Sequence, residues 1–257
     1  MNNKFEEAFS YPNGCLKNRY HIEDPQALQS LEYTIVNHKM LILFYKPYKV
    51  QNLDDLSKIN EFLFEDLYDW AGKVRTDYDL HKNTNGLEFY AQPAETIPVA
   101  WRYIDDHLLK PILDNSNPTI DQYVEALDNI NTLHPYREGN GRTTRSFLQL
   151  LAKQKGQYLR FPVDQMKLID AMNKADYEGM KAELKLYKIH DELRKQDEQV
   201  NDYFNDHEKT IAGEQIKSLA DYRLMKDSVL FNIYEGWRPK QQEIEHAVNV
   251  AINLMNE

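Results

Sequence analysis

The sequence predicts a mainly α-helical fold carrying one β-hairpin, and three observations lead there. Apolar residues recur every three to four positions through most of the chain, the spacing that places them on one face of a helix. Only 9 glycines and 10 prolines punctuate 257 residues, too few for the many turns of an all-β sandwich. One region, 73–98, loses the helical period and holds an Asn-Gly pair between short apolar arms.

Taken in order, 26–44 reads as a helix through Leu28, Leu31, Ile35 and Leu41. Asn52-Leu53-Asp54-Asp55 starts a second helix, whose stripe runs Leu56, Ile59, Leu63, Leu67, Trp70 and stops at Ala71-Gly72. The arms Val74, Tyr78, Leu80 and Leu87, Phe89, Tyr90 flank the turn-rich 82–86, which predicts a hairpin flap over roughly 80–91. Helical spacing returns at 96–109 and 119–133, and after an interruption at 142–154, where Gly156 supplies a natural C-terminal stop. Further helices are expected over 164–184 and beyond. The charge- and amide-rich 191–209 reads as a solvated helix or linker, and 211–257 has its own apolar positions, among them Leu219, Leu230, Trp237 and Ile252. The expected organisation is a helical domain over 1–195 and a helical C-terminal extension over 196–257.

Composition narrows function. Hydrophobic residues at 42% and aromatics at 12% supply a real core, and a formal net charge of -10 excludes a non-specific nucleic-acid binder, whose phosphate contacts need clustered cations. Any polyanion site must be a local cluster of Arg, Lys and backbone N–H groups. The single cysteine, Cys15, has no partner for an internal disulfide, which suits a reducing compartment. The longest aliphatic run, 40–44, is far short of the ~20 residues that span a bilayer, and 1–7 holds no apolar signal core. The expectation is a cytoplasmic protein without membrane or nucleic-acid partners.

Chemistry concentrates in His134-Pro135-Tyr136-Arg137-Glu138-Gly139-Asn140-Gly141-Arg142-Thr143-Thr144-Arg145, between two helical segments. Pro135 ends the first helix, because it has no N–H and disfavours helical geometry at the preceding residue, so His134 is held at a helix end. Gly139 and Gly141 permit backbone angles and close approach that side chains forbid. With Asn140, their N–H groups can converge on an anion at the start of the next helix, where the dipole adds positive charge. Arg142 and Arg145, three apart, leave that helix on one face in its first turn. Two arginines there oppose the dipole unless a polyphosphate lies between them, which guanidinium forks bind bidentately. Glu138 beside such a site would repel phosphate, a conflict that a Mg²⁺ shared between carboxylate and phosphate oxygens resolves.

These twelve residues resemble the signature of the Fic family, written HPFx[D/E]GNGRxxR, with Tyr136 in place of phenylalanine. Tyr11-Pro12-Asn13 with Leu16-Lys17-Asn18 is similar to the N-terminal stretch of bacterial toxin-type members. The stretch 66–75 looks like the segment leading into the family's flap, and Phe89, Pro93 and Ile97 resemble its far arm. The resemblance implies a mainly helical fold and an enzyme that transfers AMP from Mg-ATP to a Ser, Thr or Tyr hydroxyl of a target protein. It implies His134 as general base, Glu138 as magnesium ligand, Gly139, Asn140 and Gly141 as phosphate nest, and Arg142 and Arg145 as polyphosphate clamps. The flap would register the target segment by strand addition. An unperturbed histidine pKa near 6.5 would leave the base neutral at cytoplasmic pH.

Many members of that family are silenced by a helix carrying [S/T]xxxE[G/N], whose glutamate pairs with the second signature arginine, here Arg145. Glu235-Gly236 resembles the motif's end, although Phe231 stands where Ser or Thr should; Thr210 and Glu214 have the spacing, but Gln215 follows. Inhibition by Glu235 or by a separate antitoxin both stay open. Alternatives for activity are phosphotransfer or another nucleotidyl transfer by the same fold, and a non-catalytic nucleotide-binding interaction module. Gly141-Arg142 favours adenylyl transfer over phosphotransfer, because Doc-like members replace that pair.

Overall fold

The computed structural model describes residues 8–188, apart from 46, 47, 85, 86 and 163. Glu214, Glu235 and the expected boundary near 195 lie outside the described residues. By its contacts the chain divides into two compact units, 1–36 with 49–188, and 37–48 with 189–257. The first unit holds both the hairpin and the signature stretch 134–145.

Helix α1 (Pro25–Tyr45) opens with Ala27 N–H on the Asp24 carboxylate at 2.7 Å. Helix α2 (Asp54–Phe64) buries Leu56, Ile59, Leu63 and Phe64 completely. It stops at Phe64 rather than continuing to Trp70 as its periodicity suggests. Leu67 and Tyr68 both donate to the Phe64 carbonyl, which tightens the backbone, and Tyr68 then stacks on Trp70 with ring centroids 4.4 Å apart. Side chains two apart never face each other on a helix, so this aromatic pair requires the break. Gly72 follows at φ +73°.

The hairpin forms where expected. Strands β1 (His81–Thr84) and β2 (Leu87–Tyr90) pair antiparallel with His81 opposite Tyr90 and Lys82 opposite Phe89. Alternation puts His81 and Tyr90 on one face, their rings stacked at 4.3 Å, and Lys82 and Phe89 on the other. At its root, Ala91 N–H bonds the Leu80 carbonyl and Gln92 N–H bonds the Thr132 carbonyl.

The helix expected over 96–109 runs on to Asp114 as α3 (Ile97–Tyr103), a π-helical turn (Ile104–Leu109) and α4 (Lys110–Asp114). Pro111 lacks an N–H, and the wide turn just before it absorbs that missing bond without ending the helix. Helix α5 (Ile120–Leu133) starts with a reciprocal capping box between Thr119 and Gln122 and buries Tyr123, Leu127, Ile130 and Leu133. Helix α6 (Asn140–Gln154) packs against both α2 and α5 with Phe147, Leu148, Leu150 and Leu151 in the core. Gly156, at φ +66°, ends it as read.

Beyond Gly156 the structure adds two short strands to the expected helices. The chain forms β3 (Gln157–Arg160), then two short helices, α7 (Met166–Asn173) and α8 (Tyr177–Glu183), and β4 (Lys185–Lys188) antiparallel to β3. The helices expected over 164–184 are these two, separated at Ala175, in the left-handed region, and the second starts where Asp176 accepts the Gly179 N–H. Among the described residues, no helix is long and apolar enough to cross a membrane.

Candidate active site

The loop from α5 to α6 is built on the floor that α2 provides. At its start His134 takes a left-handed conformation, φ 40°, directly after the helix and before Pro135. Its Nδ1 lies 3.2 Å from the Asn131 carbonyl. A carbonyl only accepts, so Nδ1 carries the proton and Nε2 presents its lone pair. That Nε2 is buried and has no hydrogen-bond partner. Burial, with Lys82 adding like charge, pushes the imidazole pKa down to about 3, although the Asn131 carbonyl and Glu138 oppose it. The expectation of an unperturbed histidine is therefore corrected, because the ring is 8% exposed and tilted against Phe89 of the flap at 4.9 Å.

Tyr136, the departure from the family's phenylalanine, is 1% exposed, and its hydroxyl pairs with Ser57 Oγ at 2.9 Å. The extra oxygen is thereby satisfied inside the core. Asn140 is buried and turns its amide back on the loop: Oδ1 accepts the Tyr136 N–H at 2.9 Å and Nδ2 donates to the Tyr136 carbonyl at 2.7 Å. Its side chain shapes the loop, and its backbone N–H falls at the start of α6.

Gly139 sits at φ +80° with Phe64 beneath it, so close that a Cβ there would fall 2.1 Å from the ring. Gly141 differs: a Cβ on it would meet nothing within 4 Å, so it borders open space rather than packed chain. Helix α6 begins here, and the N–H groups of its first turn lack intrahelical acceptors. Glu138 Oε1 accepts the Gly139 N–H at 2.9 Å; its carboxylate also lies 3.8 Å from Lys82 Nζ and 3.9 Å from Arg142. Burial would raise its pKa, but Lys82, the Gly139 N–H and Arg142 prevail and hold it lowered.

The arginines form a positive pair. Arg142 lies over the Phe64 ring at 4.9 Å, and its Nη2 is held by Glu32 of α1 at 2.5 Å. Glu32 in turn accepts the Tyr68 hydroxyl. Arg145 donates from Nε to the Gly141 carbonyl at 3.4 Å, and burial followed by Arg142 lowers its pKa. Among the described residues no carboxylate pairs with Arg145. Lys82, Arg142 and Arg145 thus make a local cationic cradle on an acidic chain, which suits a polyanion.

Several of these residues were missed by sequence reasoning. Asn60, fully buried, bonds Thr143 Oγ1 at 3.0 Å and the Glu138 carbonyl at 3.4 Å, and accepts the Gly72 N–H at 2.8 Å. Glu32, Phe64, Arg75 and Lys82 come from separate elements. Only Lys82, opposite Phe89 in the predicted hairpin, had a signal, since its register places both on one face.

Among the described residues no three His, Cys, Asp or Glu side chains converge as a metal site. One carboxylate, Glu138, does fit a Mg²⁺ that arrives with a nucleotide, because that ion commonly takes one or two protein carboxylates and completes its shell with phosphate oxygens and water.

Known proteins resemble this chain in sequence and in fold. Residues 51–152 match the Fic/DOC family profile. Protein adenylyltransferase VbhT of Bartonella schoenbuchensis is 34% identical over 110 residues, 42% of this chain, but this chain spans only 22% of that protein. The Escherichia coli protein named "Probable protein adenylyltransferase Fic" is 26% identical over 192 residues, 72% of this chain and 91% of that one. The crystal structure of BepC from Bartonella tribocorum, with bound AMPPNP, shares the fold with a TM-score of 0.62 at 23% identity, covering 72% of this chain and all of that one. The chain thus carries a match to the Fic/DOC family over 51–152 and shares its fold with solved Fic domains.

Proposed function

We propose that this chain is a protein adenylyltransferase, transferring AMP from Mg-ATP to a Ser, Thr or Tyr hydroxyl of a target protein. The observation that carries the reading is His134 Nε2, an unprotonated, unpartnered nitrogen held at a helix end by the Nδ1 bond to Asn131. It stands beside the cationic cradle that a triphosphate requires. The adenylyltransferase names of the relatives and the AMPPNP in BepC support the same reading.

In the proposed reaction the acceptor oxygen attacks the α-phosphorus in line while pyrophosphate leaves. His134 Nε2 takes the hydroxyl proton. Arg142 and Arg145 hold the polyphosphate, with the N–H groups of Gly139, Asn140 and Gly141 at the helix start. Glu138 would hold Mg²⁺, which supplies neutralisation of charge on the leaving phosphates. For this, Lys82 must yield its place beside Glu138. Most of the acceleration then comes from orientation and preset charge. A cytoplasmic setting, a toxin role, and restraint by Glu235 or by a separate antitoxin belong to the same proposal.

Labelled ATP incubated with a bacterial lysate tests it. The wild-type chain should label a protein with an AMP-sized mass addition, and His134→Ala should reduce labelling by about 100-fold or more while keeping nucleotide affinity. A phosphate-sized addition would support phosphotransfer instead. Equal labelling by His134→Ala would remove the general-base assignment.

A further inference from the structure

Arg75 is 2% exposed, and the signature does not contain it. Its Nε donates to the His134 carbonyl at 2.9 Å and its Nη2 to the Leu133 carbonyl at 3.1 Å. Its own backbone N–H donates to the Pro135 carbonyl at 2.9 Å. Three consecutive carbonyls around the base are therefore held by one residue. They need such a partner, because the last carbonyls of a helix have no intrahelical donor and Pro135 blocks continuation.

The same guanidinium reaches the flap. Nη1 donates to the Tyr78 carbonyl at 3.2 Å and Nη2 to the Gln92 carbonyl. Tyr78 precedes β1 and Gln92 follows β2, so both roots of the hairpin close on the group that secures His134. The nearest acid, Asp79, lies 3.9 Å from Nη1, and its Oδ1 is 2.8 Å from the Ala94 N–H. Burial lowers the pKa of Arg75. A buried cation bonded mainly to backbone carbonyls is a costly device for stability alone, which apolar packing supplies more readily.

We propose that Arg75 is a positioning residue that locks the flap in register with the imidazole of His134. This rests on the adenylyl-transfer reading, in which the flap presents the acceptor segment and His134 receives its proton. A planar fork with five donors can meet carbonyls from two directions at once. A lysine ammonium, with three donors on one atom, cannot. Arg75 lies at the carbonyl end of α5, whereas Arg142 and Arg145 sit at the N-terminal end of α6, so its loss should separate acceptor alignment from nucleotide binding.

Arg75→Lys and Arg75→Gln in the full chain test this. Three quantities are read: affinity for Mg-ATP by calorimetry, the initial rate of label transfer from ATP into lysate protein, and amide hydrogen exchange at Ala91 and Gln92. Nucleotide affinity should stay within about twofold while the transfer rate falls about 100-fold, the scale of a misplaced reacting group. Exchange at the two flap-root amides should accelerate while α6 keeps its protection, a local change that a general loss of folding would not produce. Transfer at the wild-type rate in Arg75→Lys would overturn the proposal, as would loss of nucleotide affinity in both variants. His134→Ala separates the two readings. If that variant transfers normally, the base assignment has failed. If it is inactive while Arg75→Lys is not, only the positioning role has.

Discussion

Gly139→Ala is the sharpest test of how the loop before α6 is built. The added Cβ would fall 2.1 Å from Phe64 Cε2 and 2.2 Å from Cζ, and a non-glycine residue would have to hold φ +80°. Left-handed backbone costs an L-residue roughly 1–2 kcal/mol. Forcing a methyl into packed aromatic surface costs typically about 1–3 kcal/mol. Reduced freedom of the unfolded chain returns about 0.4–1 kcal/mol. The net expectation is a loss of about 1–5 kcal/mol in urea unfolding, with nucleotide affinity falling too, because Phe64 underlies Arg142. Phe64→Leu removes the ring atoms in collision, so the two changes should couple favourably by about 1–3 kcal/mol in a double-mutant cycle. A loss below about 1 kcal/mol for Gly139→Ala alone, or additivity within about 0.5 kcal/mol, would refute the argument.

Two further outcomes rest on the buried groups. His134 is pushed from an ordinary 6.5 to about 3, so between those values the unfolded chain binds the additional proton. Its contribution to stability is complete above about pH 6.5 and is lost as pH falls through that window toward about 3. His134→Gln should flatten this part of the acid limb, while parallel curves for both proteins would contradict it. The ¹⁵N shifts of the imidazole should report the neutral Nδ1–H form at pH 5. Tyr136→Phe strands the Ser57 hydroxyl and should cost about 1 kcal/mol in thermal unfolding, whereas Tyr136→Phe with Ser57→Ala should come close to wild type. Equal losses in the single and double variants would show that the 2.9 Å contact contributes nothing.

The stretch 134–145 was legible because its logic is local. Each part answers an electrostatic difficulty of a neighbour a few positions away, so spacing alone exposes it. The hairpin was legible for a similar reason, as an Asn-Gly pair between two apolar arms. The surroundings of the site were not. Glu32 meets Arg142 across 110 positions, and Asn60 meets Thr143 across 83, contacts that arise only from the packing of α1 and α2 beside α6. Arg75 closes the stretch 66–75 that resembles the approach to the flap, and nothing local says that its fork ends on the Leu133 and His134 carbonyls. The helix break after Phe64 escaped notice because Leu67 and Trp70 continue the stripe, and only the Tyr68–Trp70 stack reveals the turn. Strands β3 and β4 have four residues each, too few for alternation to stand out. The depressed pKa of His134 depends on enclosure by Phe89 and on Lys82, both supplied by the flap.

That enclosure has a kinetic meaning. An imidazole held down by burial and Lys82, against the pull of the Asn131 carbonyl and Glu138, is a weak proton acceptor. A polyanion bound here would reverse the local field, since negative oxygens beside the ring favour an imidazolium and would compete with Glu138 for Lys82. On the proposed reading the substrate itself would arm the base, and a hydroxyl arriving before the triphosphate would meet no acceptor for its proton.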